Sequence, residues 1–142
     1  MDSRPHPLPP ALRLAMVGLE LFTAFGALYG GGLMIADPTG ARIGFPPGLL
    51  VRTPFESYLI PGLVLLLVNG LGMLAGALAL ILGWPHAVHI ALALGALLTG
   101  WITVQYLMIG AVSPLQPVML VTGLLLLVTA WMAWRALRSR PG

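Results

Sequence analysis

Glu20 has the strongest claim to chemistry in this chain. It is an acidic side chain inside an apolar run from Ala11 to Ala36. A carboxyl group held in such surroundings must face protein, water or a partner, or else be protonated, and is a candidate proton or cation site. Asn69 and Thr129 also lie within long apolar runs. If all three face inward they lie at broadly similar depth, and together they form the candidate ligand or proton site. Each has a plainer role as well. Glu20 can fix helix packing as a buried group, and Asn69 can make an interhelical hydrogen bond worth ~0.6–2 kcal/mol. Thr129, like Thr103 and Thr122, can bond back to its own helix. Gln105 stands beside Tyr106 toward the outer side.

The other reactive residue types give less. His86 and His89 are spaced i, i+3, which puts two potential ligands on one helical face. No third ligand is nearby in the sequence, so no metal is expected. There is no cysteine, which excludes thiolate catalysis, disulfides and cysteine-ligated metals. Ser3, Ser57, Ser113 and Ser139 lack the surroundings of a nucleophile elbow. No phosphate-binding glycine loop is present, and Asp37 and Glu56 fit a turn and a helix cap better than a carboxylate pair. No catalytic residue and no cofactor follow from these patterns.

The elements that must position these residues are set by composition. The chain has 142 residues, of which 58% are hydrophobic and 8% charged. A soluble domain carries roughly a quarter charged residues, so much of this surface must face lipid. The net charge of +3 does not indicate nucleic acid. All seven basic residues are arginines, placed at the chain ends and in one loop, as in membrane flanks.

Four apolar segments run approximately from Pro10 to Ala36, Pro54 to Leu82, Pro85 to Ile109 and Pro114 to Leu137. Each is long enough for a hydrocarbon core that takes about 20 helical residues. A backbone in lipid must satisfy its own hydrogen bonds, so each segment is a helix. The expected fold is all-α, one membrane domain of four antiparallel transmembrane helices. An external loop covers 37–53, with short tails at 1–9 and 138–142. The first run is longer than the roughly 7–15 residues of a signal h-region and contains Glu20, so it is read as a span.

Local signals mark the boundaries. Each segment begins with proline, which is tolerated in a first turn because its missing N–H has no partner there. Thr53-Pro54-Phe55-Glu56 and Ser113-Pro114-Leu115-Gln116 read as capping boxes. Asp37-Pro38 should end the first helix. Pro61 predicts a kink in the second, or a short interfacial helix bending into it. Gly26 with Gly30, and Gly72 with Gly76, form GxxxG pairs that allow close helix approach.

Arginine counts give the orientation. Arg4, Arg13, Arg135, Arg138 and Arg140 lie on the side of the termini, against Arg42 and Arg52 on the other. Five against two places both termini in the cytoplasm. Trp84, Trp131 and Trp134 then sit near the inner interface, and Phe45, Phe55 and Tyr58 near the outer one. The absence of lysine fits a GC-rich bacterial genome, with the cytoplasmic membrane as the expected location.

Two resemblances follow from these residues. The run GGGLMIADPTG, followed by TPFESYLIPGL and the second helix, resembles a pattern in uncharacterised small four-span bacterial integral membrane proteins. It covers about the first half of the chain and implies topology without an activity. The chain is also superficially similar to small multidrug resistance transporters, which have four helices and a membrane glutamate in the first. Glu20 would be the matching position. This chain departs from that pattern in its long first external loop, in Leu19-Glu20 where the family has Ala-Glu, and in its one-sided arginine bias.

The leading expectation is an accessory or scaffold protein that binds a partner membrane protein, itself or lipid. The alternative is a proton-coupled small-molecule carrier acting as a homo-oligomer, with Glu20 as coupling site. A membrane enzyme acting on lipid comes last, since the histidine and acid constellation for such chemistry is missing.

Overall fold

The protein is described by a computed structural model covering residues 7–139. Ser3, Arg4 and Arg140, used above, lie outside the described residues. The fold is all-α: four long helices and, among the described residues, no strand. They are α1 (Pro10–Ala36), α2 (Leu59–Ile81), α3 (Ala87–Ile109) and α4 (Leu115–Arg138). All four are long and apolar enough to cross a membrane. Each contacts its two chain neighbours in a closed ring, with α1 also against α4. The result is a multi-pass membrane bundle.

The bundle has a small-residue interior and a large-residue exterior. Ala24, Ala77, Ala91, Ala130 and Ala133 are buried, with Met16, Met73, Leu80, Leu98 and Leu126 filling the space between them. Leu14, Phe25, Tyr29 and Leu107 are between 66% and 81% exposed. An outward face of that kind suits acyl chains, against which apolar side chains pay no penalty.

The helix ends show how local chemistry sets boundaries. Asp37, before Pro38, is extended, and its N–H donates to Leu33 to close α1. At the end of α2, Gly83 takes φ +69°. Its N–H donates to Leu80 and that of Trp84 to Ala79, the pairing of a Schellman cap. At the start of α4, Gln116 Oε1 accepts from the N–H groups of Val112 and Ser113, while Nε2 donates to Gly110. One buried side chain thus ties down the whole α3–α4 link.

Helix α2 differs from expectation in two ways. It starts at Leu59, so Thr53-Pro54-Phe55-Glu56 is not a capping box. Thr53 instead donates to Leu50, closing a short 3₁₀ helix (Leu49–Arg52), and accepts from Phe55 N–H. Tyr58 explains the delay. Its ring packs on Phe45 at 4.8 Å, and its N–H donates to Pro38, which holds the segment before it in the loop. The second difference concerns Pro61. It falls in the first turn, where its missing N–H breaks nothing. The irregularity lies further on, as a π-helical stretch over Leu65–Leu71 that contains Asn69.

The loop over residues 37–53 is also anchored by Asp37. Its carboxylate accepts from the Thr39 hydroxyl and N–H and from Arg42 N–H. The Thr39 hydroxyl, then the Arg42 N–H, hold this carboxyl below its ordinary 3.8. A carboxyl with a depressed folded value stabilises above its unfolded value, and that contribution is lost as pH falls through the folded one. The Thr39 and Arg42 amide proton shifts should therefore stay constant at neutral pH and titrate together below pH 3.8. In Asp37→Asn that titration should vanish.

Candidate functional site

Glu20 is 0% exposed and lies in the packed interface between α1, α2 and α3. A Cβ placed on Gly76 would stand 2.8 Å from Glu20 Oε1 and 2.6 Å from Leu94 Cδ1. The carboxyl group thus occupies the space that the missing side chain of Gly76 leaves open. Neither carboxyl oxygen has a hydrogen-bond partner among the described residues. Glu20 does not line either of the two cavities described below.

The three residues proposed as one site are not brought into a hydrogen-bonded cluster. Asn69 is buried on α2, seven residues before Gly76, which is about two turns or ~10 Å along the helix. Its Oδ1 has no partner among the described residues. Thr129 is half-buried, and its hydroxyl donates to Leu125 and Leu126 of its own helix. The similar depth expected for the three fails on the helical rise between Asn69 and the level of Glu20.

The glycines also sort differently from their motif. Gly76 is a close-approach position, whereas Gly72 and Gly30 make ordinary contacts at 3.4 Å and 3.6 Å, and Gly26 meets nothing within 4 Å. The tightest backbone contacts fall elsewhere. A Cβ on Gly31 would stand 2.9 Å from Gly62 O and Leu66 N, and one on Gly95 3.0 Å from Leu127 N. On Gly123 it would stand 3.1 Å from Thr99 N.

A cavity of about 200 Å³ opens beneath the loop over residues 37–53, lined by Thr23, Gly26, Asn69, Trp101, Gln105 and Gln116 among others. A second, of about 170 Å³, adjoins it and shares Met34, Phe45, Trp101, Gln105 and Ile109. Trp101 Nε1 is buried without a partner among the described residues. Sequence reasoning missed Trp101. The available signal was an indole N–H in the middle of a span, since a buried tryptophan normally finds an acceptor.

His86 and His89 have ring centroids 6.3 Å apart, and no group of three His, Asp or Glu comes together among the described residues. At the end of α4, Arg135 lies over the Trp131 ring at 4.9 Å and Arg138 over Trp134 at 4.6 Å. No protein-family model, curated protein or solved structure matches the chain.

Proposed function

We propose that this chain works by binding, as a small accessory protein of the bilayer that holds a partner membrane protein, a second copy of itself, or lipid. The supporting observation is the enclosure of Glu20. A coupling carboxylate must exchange protons with water on one side and then the other, whereas Glu20 is sealed between Gly76 and Leu94. The arginine bias supports termini on the cytoplasmic side. Arg135 and Arg138 over Trp131 and Trp134 suit an interfacial end of α4, where amphipathic rings and long basic side chains gather.

Two measurements test this reading. Liposomes containing the purified protein, with a pH gradient and an internal pH dye, should discharge no faster than empty ones. A flux abolished by Glu20→Gln would overturn the binding role in favour of a carrier. Native mass spectrometry of the protein in mild detergent should retain a second subunit or lipid at fixed stoichiometry. A bare monomer would count against the reading.

A further inference from the structure

The last two turns of α4 carry their charge on one face. Trp131, Trp134, Arg135 and Arg138 are spaced i, i+3, i+4, i+7, which aligns them along a single stripe of the helix. Trp131, Arg135 and Arg138 are exposed, so a group outside the chain can reach them. Helical side chains lean toward the N-terminus of their helix. Both arginines do so here, Arg135 over Trp131 at 4.9 Å and Arg138 over Trp134 at 4.6 Å. The two guanidinium groups are thereby turned back toward the span and away from the chain end.

That direction sets the depth of the charge. Tryptophan rings gather at the headgroup level of a bilayer, so a guanidinium stacked on one lies among the lipid phosphates. Stacking uses the flat face of the group, and its N–H donors, which lie in the plane, stay open at the rim. Among the described residues the acids are Glu20, Asp37 and Glu56. Glu20 is enclosed beside Gly76 and Leu94. Asp37 follows α1 and Glu56 precedes α2, which puts both at the other end of the bundle. Arg13, half-buried near the start of α1, adds a third cation to this end. Arginine suits a phosphate better than lysine does, since its fork engages two oxygens at once. Positions three residues apart are separated by only ~4.5 Å along a helix, so one headgroup can meet both arginines.

We infer that this stripe of α4 binds the headgroup of an anionic phospholipid. Arg135 and Arg138 donate to its phosphate oxygens, and the Trp131 and Trp134 rings lie along the glycerol and upper acyl carbons. A zwitterionic headgroup fits less well, because its own cation already balances its phosphate and leaves the arginines without a counter-charge. Trp131 is 48% exposed on the outward face of α4, the face that a lipid of the bilayer approaches. The inference rests on the binding role proposed above and names the lipid class for it.

Quenching by brominated lipid tests this in the full chain. Trp84→Phe with Trp101→Phe leaves Trp131 and Trp134 as the only tryptophans. The protein is placed in phosphatidylcholine nanodiscs containing either dibrominated phosphatidylglycerol or dibrominated phosphatidylcholine. The phosphatidylglycerol should reach the same quenching at a mole fraction about fivefold lower, as expected for one charge near a membrane surface. Arg135→Gln with Arg138→Gln should abolish that preference. Arg135→Lys with Arg138→Lys keeps both charges but loses the stacked fork, and should abolish most of it. Full preference in the lysine variant would overturn the site, leaving surface charge alone. Equal quenching by the two lipids would overturn it as well, and relief of quenching by excess inorganic phosphate would overturn a lipid as the occupant. Native mass spectrometry of the unsubstituted chain with both lipids at equal concentration reads the same preference without the phenylalanine changes. Phosphatidylglycerol adducts no commoner than phosphatidylcholine adducts would overturn the site, while a second subunit retained in that spectrum would leave the wider binding role standing.

Discussion

Gly31→Ala is expected to destabilise the bundle by about 1–3 kcal/mol, the usual cost of overpacking a filled interior. The same change at Gly26, five residues earlier on the same helix, is expected to do no harm. The difference lies in what the added methyl group would meet. At Gly31 it would stand 2.9 Å from Gly62 O, Leu66 N and Leu66 Cβ. Two of these are backbone atoms, which cannot rotate away, so α1 and α2 must separate. Gly62 stands in the same seam from the other side, with Met34 Cβ 2.6 Å from its own Cβ position. At Gly26 the methyl group meets nothing within 4 Å, and alanine's better helix propensity, up to about 1 kcal/mol, is free to act. Equilibrium unfolding in mixed micelles, followed by circular dichroism, measures both. Equal effects of the two substitutions would contradict the α1–α2 seam described here.

Glu20→Met is expected to stabilise the bundle by roughly 1–3 kcal/mol, which is the scale of the penalty for a buried polar group without a partner. Both oxygens are such groups. Methionine is unbranched and flexible enough to follow the same path beside Gly76. Glu20→Gln keeps two polar atoms in the same enclosure and should recover little of that gain. The same unfolding measurement decides the matter. Destabilisation by Glu20→Met would mean that the carboxyl group has a partner in the membrane, and the enclosed-interface account of Glu20 would fall. Stabilisation with no change in proton flux would support packing as its role.

The motifs show where sequence reasoning stops. Gln116 ties down the start of α4 because its target amides, at Ser113 and Val112, are three and four residues away, although the serine half of the expected capping box is not made, since Ser113 Oγ accepts from Leu115 N–H. Thr53-Pro54-Phe55-Glu56 carries the same pattern but does not cap a helix, because Tyr58 is held against Phe45 and Pro38. Those partners are 13 and 20 residues distant in the chain, and no local rule registers them. The glycine motifs fail for a related reason. GxxxG spacing puts two glycines on one face of a helix but does not say whether that face meets a neighbour. Gly26 and Gly76 belong to equivalent motifs, yet one faces open space and the other Glu20 and Leu94.

Sequence alone determined that this is an all-α membrane bundle of four spans. Length and apolarity decide that, because a backbone in hydrocarbon has to bond to itself and about 20 residues are needed to cross. It also determined that Glu20 and Asn69 would be costly groups wherever they lay. The tertiary structure alone decided their surroundings. The rotation of each helix about its axis and the π-helical stretch at Leu65–Leu71 enclosed Glu20 and put Asn69 with Trp101 on a cavity wall. Rotation is set by side-chain packing between helices far apart in the chain, and in lipid no difference in solvation between apolar faces selects it beforehand.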